Sequence, residues 1–271
     1  MHKVVTFESF GEFVAAADTQ HTDKISHTGT EESFHGTATF GEAVELATKG
    51  WPEGADRIAK LRATLESVVQ KTVTAKSSRL EWAESGDFLD VGRVLSGEPE
   101  AFGSYVESDA THGTARVIKI VGNVSARGGV KSESIFSAGA AVAAAVDVLE
   151  LLGHRVELWL GSGSLHRSTD EKLTVLVKVK EASQPLDLDR VAFVLAHNAS
   201  LRRLFFSVEE DLGFSPGITG TCPLRVDGDA VVTPEVCNED SYSDKRVERV
   251  LRVCESCGIS LTAEERASIV S

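Results

Sequence analysis

Long apolar runs, sulfur-containing residues and aromatic residues are scarce in this sequence of 271 residues. It holds four cysteines, one methionine and two tyrosines, and no segment reaches the roughly 18 consecutive apolar residues that a membrane span requires. The residues after Met1 lack the basic start and the apolar run of a secretory signal. We therefore expect a soluble cytoplasmic protein with no membrane partner.

Positive charge is scarce as well. The chain has 28 basic residues against 41 acidic ones, which gives a net charge of -13. Such a chain repels the phosphate backbone unless its few cations gather on one face, so the composition disfavours nucleic acid as a partner. The hydrophobic content of 42% is ordinary for a packed globular protein and argues against a mainly disordered chain.

Complete catalytic motifs are also missing. The sequence contains no His-x-x-x-His pair and no Gly-x-x-x-x-Gly-Lys-Ser/Thr phosphate loop. His197 follows a predicted helix, where a histidine more often bonds a carbonyl than takes part in catalysis. Arg202 and Arg203 form the one basic and aromatic cluster together with nearby phenylalanines, and internal ion pairing explains it more simply than a bound partner does.

What the sequence does contain is a strand-helix-strand pattern in the middle of the chain. Ala115–Gly122 and Arg155–Leu160 have the alternating, β-branched pattern of strands, and Ser134–Leu152 carries an apolar stripe that ends at Gly153. This pattern predicts a parallel αβ unit and an α/β fold with a three-layer, Rossmann-like sheet. Lys172–Lys180 predicts a further strand, suited to a sheet edge or to a half-covered position.

Composition divides the chain into three predicted parts. Residues 1–36 are rich in Thr, Ser, Glu and His, which predicts a flexible N-terminal arm. Residues 37–110 contain apolar spacings of three and four and a capping box at Thr39 and Glu42, which predict a helical subdomain. Residues 111–271 are predicted to form the α/β domain.

The loop after the first central strand is the first candidate site, because ligands of parallel α/β sheets bind at the carboxyl ends of strands. Its candidate residues are Asn123, Ser125 and Arg127, and Gly161 and Ser162 follow the neighbouring strand. We expect these residues to bind a ligand or a partner. The alternative is that both loops only turn the chain.

This loop and the order of elements around it resemble a von Willebrand factor A-like domain, whose first strand ends in Asp-x-Ser-x-Ser. In that family the motif holds a divalent cation through oxygen ligands, so the resemblance implies a magnesium site at Asn123, Ser125 and Arg127. Ser125 matches the motif, whereas Asn123 lacks the carboxylate and Arg127 brings a positive charge. The implied site is therefore a degenerate one.

The cysteines give a second metal hypothesis. Cys254 and Cys257 have the C-x-x-C spacing of a zinc knuckle, and Cys222 and Cys237 complete a set of four thiolates. Against zinc, neither Cys222 nor Cys237 belongs to a second closely spaced pair, and buried thiols are the alternative. No cofactor is expected, and zinc and magnesium stay open.

Gly50-Trp51-Pro52 and the stretch from Gly86 to Pro99 resemble an uncharacterised domain family of bacteriophage and actinobacterial genomes, over residues 35–265. This resemblance implies a phage setting, with the host cytoplasm as the location, and no activity. Our leading hypothesis is a non-enzymatic protein-binding or assembly module of unknown partner and oligomeric state. The alternatives are a divalent-metal-dependent enzyme that handles phosphate or processes nucleic acid, and a zinc-stabilised adaptor.

Overall fold

The computed structural model describes residues 2–19, 23–60, 79–106, 116–126, 129–151, 153–166, 170–214, 224 and 230–232. The strands are β1 (His2–Phe7), β2 (Arg79–Ala83), β3 (Phe88–Leu89), β4 (Phe102–Val106), β5 (Val117–Asn123), β6 (Arg155–Leu165), β7 (Lys172–Lys180) and β8 (Ala230–Val232). The helices are α1 (Phe10–Ala17), α2 (Ile25–Thr28), α3 (Glu32–His35), α4 (Phe40–Lys49), α5 (52–60), α6 (Val91–Leu95), α7 (Ser132–Leu151), α8 (Leu188–Ala196) and α9 (Phe206–Asp211). A π-helical segment, Ser200–Phe205, precedes α9.

The larger sheet is mixed, with the strand order β1-β7-β6-β5-β8. β5 and β6 pair in parallel and α7 connects them, which confirms the predicted αβ unit. β7 runs antiparallel to β6, and β1 is parallel to β7, so β7 lies inside the sheet and not at its edge. The antiparallel pair makes this a mixed α/β fold, and a three-layer von Willebrand factor A-like arrangement is not confirmed.

The core of the protein is built around α7, which is buried along almost its whole length. Small residues allow this, because a Cβ atom at Gly139 would lie 2.2 Å from the carbonyl oxygen of Leu195 on α8. By length and composition, Ser132–Glu150 is the one described segment that could cross a membrane. Because 78% of it is buried inside the protein, membrane integration is not indicated.

The described part of residues 1–36 does not form the flexible arm that we predicted. β1 is paired along its length with β7, and α1 buries Phe13 completely. The Phe13 ring lies 4.6 Å from the ring of Phe205 in the π-helical segment. The prediction failed because it weighed the polar composition of the segment above the spacing of its few aromatic residues.

Two buried arginines hold the following segment, residues 24–38, against the core. Arg203 donates to the carbonyl oxygens of Ser26 (2.7 Å) and Thr37 (2.9 Å). Arg202 donates to the carbonyl oxygens of Phe34 (2.7 Å) and Val130 (2.8 Å). Both arginines therefore donate to backbone carbonyls, and these hydrogen bonds tie a polar segment into the fold.

The predicted helical subdomain, residues 37–110, contains α4 and α5, but it also contains the small sheet β2-β4-β3. Trp82 and Phe88 both face Gly103 in register, and their rings meet edge to face at 5.9 Å. Cross-strand pairing of this kind does not follow the spacing of three and four that identifies helices, so helical spacing does not reveal it. The boundaries at residues 36 and 110 stay predictions.

Candidate functional site

A cavity of about 410 Å³ opens to solvent at the N-terminal end of α7. It lies where the loop after β5 enters that helix, the end of an αβ unit at which ligands bind in α/β folds. Its volume falls in the range of small-ligand pockets, roughly 300–1,000 Å³. It is lined by Glu32, Ser33, Gly36, Trp51, Arg57, Ser132, Glu133, Phe136, Ala196, His197 and Asn198. We call it the Trp51 cavity.

Aromatic rings form one wall of the Trp51 cavity. The ring of Trp51 stands perpendicular to Phe136, with centroids 6.0 Å apart, and perpendicular to His197 at 4.6 Å. The backbone N–H of Trp51 donates to the carbonyl of Asp189 (3.0 Å), which fixes the wall to α8. A Cβ atom at Gly54 would lie 2.1 Å from the Trp51 ring, so glycine is required for the indole to lie against α5.

An ion pair stands at the rim. Nη2 of Arg57, on α5, donates to both carboxylate oxygens of Glu133, in the first turn of α7, at 2.9 Å each. The guanidinium carbon of Arg57 also lies 3.6 Å from the centroid of the Phe136 ring. Both side chains are about half exposed, and an acidic residue in the first turn suits the dipole of α7. The pair connects α5 with α7 across the opening.

The floor holds a buried amide whose hydrogen bonds are incomplete. Asn198 is 3% exposed and lies in the short connection between α8 and the π-helical segment. Its Nδ2 donates to Oγ of Ser132, while its Oδ1 has no hydrogen-bond partner among the described residues. An unsatisfied buried acceptor costs about 1–3 kcal/mol. Oδ1 itself has almost no accessible surface, so the unpaired acceptor lies below the surface of the cavity.

His197 adds no positive charge to the cavity. Burial lowers the pKa of its imidazole to about 4, so the ring is neutral at physiological pH. Its Nδ1 accepts the backbone N–H of Ala199 (3.2 Å), and the ring stacks on Phe193. A neutral imidazole that is fixed in this way is a wall of the cavity and a weak base.

The residues that the sequence singled out lie elsewhere. Asn123 ends β5, and Gly161 and Ser162 lie within β6, paired with β7, and not in a loop after the strand as expected. Asn123 faces Gly161 in register, and Oδ1 of Asn123 accepts the N–H of Ser125 at 3.0 Å. Oγ of Ser125 accepts the N–H of Gly163 at 2.8 Å. Ser162, fully buried, donates to Oε1 of Glu209 at 2.6 Å. We call Asn123, Ser125, Ser162 and Glu209 the β5–β6 polar cluster.

Glu209 is the titratable group of this cluster, and in the sequence it appears only as part of an acidic run on a predicted helix. Burial raises the pKa of its carboxyl from 4.5 to about 7. The hydroxyls of Ser162 and Ser164 lower this pKa, but the effect of burial is larger. Ser164 Oγ lies near the carboxyl, but neither it nor Oε2 of Glu209 has a well-formed hydrogen bond to the described residues. Protonation would give Oε2 a hydrogen to donate.

Neither metal hypothesis finds a described ligand set. Within the described ranges, no three His, Cys, Asp or Glu side chains are grouped so that they could hold a metal ion. Asn123 and Ser125 come together as expected, but their oxygens accept backbone N–H groups. Arg127 lies outside the described residues, and so do the four cysteines of the zinc hypothesis, Cys222, Cys237, Cys254 and Cys257.

Sequence reasoning missed the Trp51 cavity. In the sequence, Trp51 lies in a motif between two predicted helices, and His197 lies at a helix end. Neither position indicates a site. Asn198 offered one signal, since a polar residue directly after an apolar helix occupies a connection where functional groups often lie. Glu133 lies at a helix start and Arg57 in a helical pattern, so nothing in the sequence joins them.

Fold and cavity together define a mixed α/β protein with an open cavity at the N-terminal end of its central helix. Residues 1–258 match the family described as "Domain of unknown function (DUF7192)". The chain belongs to this family. No curated protein and no solved structure matches it.

Proposed function

We propose that this protein is a non-enzymatic module that binds another protein, and that an exposed segment of the partner enters the Trp51 cavity. The observation that carries this proposal is the cavity itself, about 410 Å³ in volume, open to solvent and lined by Trp51, Arg57 and Phe136. An exposed segment of a folded partner or a flexible peptide could place one large side chain in such a cavity.

The walls of the cavity also suit a protein partner. Trp and Arg are enriched among the residues that contribute most to protein interfaces, and both line this opening. A volume of about 410 Å³ accommodates a large side chain with its adjoining backbone. The ion pair between Arg57 and Glu133 is half exposed, as expected for charges at the rim of an interface.

The ionisable groups of the cavity favour binding over catalysis. His197 is neutral, and its Nδ1 is engaged by a backbone N–H. Glu133 is held by Arg57. General acid-base catalysis needs a group whose pKa lies near the working pH and which reaches the reacting atom, and the pKa of His197, at about 4, lies far below that range.

The two alternatives, a divalent-metal-dependent enzyme and a zinc-stabilised adaptor, stay predictions. The first would use the loop that contains Arg127, and the second would use the four cysteines, all outside the described residues. A phage-encoded origin and a location in the host cytoplasm likewise rest on the sequence resemblance alone. We give the binding module precedence because a described cavity supports it.

Selection from a random peptide library tests this proposal. The full-length protein serves as bait, and bound peptides are measured against the wild type and Ser33→Tyr, which places a large group on an exposed residue at the cavity lining. We expect Ser33→Tyr to weaken binding at least about tenfold, or about 1.4 kcal/mol. Ser85→Tyr, at an exposed serine outside the lining, is the matched control and leaves binding unchanged.

Folding of both tyrosine variants is checked by thermal unfolding, so that a loss of binding refers to the cavity. The proposal is wrong if the selected peptides bind Ser33→Tyr as tightly as the wild type, or if the library yields no binder. The sequences of the selected peptides also show the chemistry of the residue that enters the cavity.

A further inference from the structure

One side of the Trp51 cavity is formed by residues 24–38, which contribute Glu32, Ser33 and Gly36 to the lining. The structure describes this segment in full, and it contains the short helices α2 and α3 and no strand. Side chains of the core, among them the two buried arginines described above, hold it in place. This side of the cavity therefore depends on contacts that are sensitive to charge.

The start of the segment is held by polar side chains of α9. Nζ of Lys24 lies 2.7 Å from Oδ2 of Asp211 and donates to Oγ of Ser207 at 3.1 Å. The carboxylate of Glu210 accepts the N–H of Ser26 at 3.3 Å and its hydroxyl at 2.5 Å. Lys24 is buried, so the segment carries a cation into the interior at this point.

His27 is fixed as a neutral tautomer beside this cation. Its Nε2 lies 2.9 Å from the same Oγ of Ser207 to which Lys24 donates. The Ser207 hydroxyl donates its one hydrogen to the carbonyl of Ala17 at 2.7 Å, so Nε2 must carry a hydrogen and donate as well. Burial lowers the pKa of His27, and the charge of Lys24 lowers it further. The groups that oppose this shift are the Ala17 carbonyl, Asp18 and Asp211.

His35 is also buried and is fixed as the other tautomer. Its Nδ1 lies 3.4 Å from the carbonyl oxygen of Arg202, which can only accept, so a further proton must go to Nε2. Nε2 packs against Gly29, where a Cβ atom would lie 2.1 Å from it. Burial lowers the pKa of His35, and so do the charges of Arg203 and Arg202, while the Arg202 carbonyl and Glu31 oppose this.

We propose that protonation of His27 and His35 in mild acid releases residues 24–38 from the core and so removes one side of the Trp51 cavity. Each imidazolium would form next to a cation that already helps to hold the segment. In the released segment, water hydrates both charges and separates them from those cations. The consequence for a bound partner rests on the proposed function, whereas the release itself does not.

The sign of the pH dependence separates this release from the titration of Glu209. The pKa values of His27 and His35 lie below the ordinary 6.5 in the folded protein, so the released segment binds protons that the held segment does not. The held state therefore loses stability as the pH falls below about 6.5. Glu209, which faces Ser162 on β6, has the opposite effect, because its contribution is gained as the pH falls through about 7.

Hydrogen exchange of the native full-length protein at about pH 7.5 and about pH 5, above the ordinary range of carboxyl groups, tests the proposal. Each rate is divided by the intrinsic rate of the same amide at the same pH. We expect the protection of amides in residues 24–38 to fall at least about fivefold at the lower pH. Protection in β5 and β6 should be retained or should rise, since Glu209 gains its proton.

Two variants remove the titration and keep the hydrogen bonds. The side-chain amide of His27→Gln can donate from the position of Nε2, and that of His35→Asn from the position of Nδ1, and neither takes up a proton. We expect each variant to reduce the loss of protection in acid and the double variant to abolish it. His166→Gln, which replaces a histidine directly after β6 and outside the segment, is the control and leaves the loss unchanged.

The proposal is wrong if residues 24–38 keep the same protection at both pH values, or if β5 and β6 lose protection by the same factor. A loss that persists in the double variant also contradicts it. Should the double variant not fold, the comparison of segment and sheet in the wild type decides. None of these measurements needs a partner, so a peptide library without binders contradicts the proposed function alone. Peptides that dissociate from the wild type in acid but stay bound to the double variant connect the release to the cavity.

Discussion

The β5–β6 polar cluster and the Trp51 cavity hold similar side chains near the ends of the central αβ unit, but these side chains differ in what they bond. In the cluster, Asn123 and Ser125 accept backbone N–H groups, and Ser162 donates to Glu209. In the cavity, Asn198 makes one hydrogen bond through Nδ2 and leaves Oδ1 without a described donor. Oε2 of Glu209 is unpaired in the cluster as well, but the cluster is buried, whereas the cavity opens to solvent.

This difference separates polar groups that are buried inside the fold from polar groups that line an opening to solvent. Buried polar atoms in folded proteins are nearly always hydrogen-bonded, and each region holds an exception, Oδ1 of Asn198 and Oε2 of Glu209. Because the cluster is buried, we interpret it as structural, although sequence alone placed it at the favoured end of the sheet. The unfolding free energies of variants in each region test this difference.

Glu209 carries the largest expected effect, and it depends on pH. The folded-state pKa of about 7 lies above the ordinary 4.5, so the folded protein retains a proton that the unfolded chain releases. Stability from this group is complete below about pH 4.5 and is lost as the pH rises through about 7. The difference corresponds to about 3 kcal/mol. Glu209→Gln, which resembles the protonated acid, should remove this dependence.

Urea unfolding of the wild type and Glu209→Gln across pH 4 to about 8 measures this effect. We expect similar free energies of unfolding near the acid end and a more stable variant near the alkaline end. Other groups titrate in both proteins, so the difference between the two curves is the relevant quantity. A difference that stays constant with pH would show that Glu209 is ionised within the fold.

Ser125→Ala is expected to have the next largest effect. The change removes the acceptor of the Gly163 N–H, which lies in a buried strand, so the variant should lose about 1–3 kcal/mol of unfolding free energy. Ser33→Ala, at an exposed serine of the cavity lining, is the matched control and should stay within about 0.5 kcal/mol of the wild type. Equal losses in both variants would contradict the division between a closed and an open region.

Much of the fold was predictable because its signals are local. The parallel unit of β5, α7 and β6 was evident from runs of strand and helix spacing, and the structure confirms it. The predicted cap of α4 is confirmed too, since Oγ1 of Thr39 accepts the N–H of Glu42 at 3.2 Å. Each of these features depends on residues a few positions apart.

The features that escaped prediction join residues far apart in the chain. β1 pairs with β7 across about 170 positions, and Arg203 reaches the carbonyl of Ser26 over a similar separation. The cavity brings together Trp51, Glu133 and Asn198 from three separate segments. Spacing patterns do not predict contacts between distant segments. The polar composition of residues 24–38 likewise did not indicate that arginine side chains donate hydrogen bonds to this segment.

The ion pair at the cavity rim should contribute least to stability. Arg57 and Glu133 form a bidentate pair, but 40% and 52% of their side chains are exposed, so solvent screens the attraction. A double-mutant cycle with Arg57→Gln and Glu133→Gln is expected to give a coupling energy of about 0.2–1 kcal/mol in thermal or urea unfolding. The coupling should fall further as salt is added. A coupling energy above about 2 kcal/mol would mean that the pair stabilises the packing of α5 against α7. Arg57 and Glu133 would then have a structural role, as the residues of the β5–β6 polar cluster do.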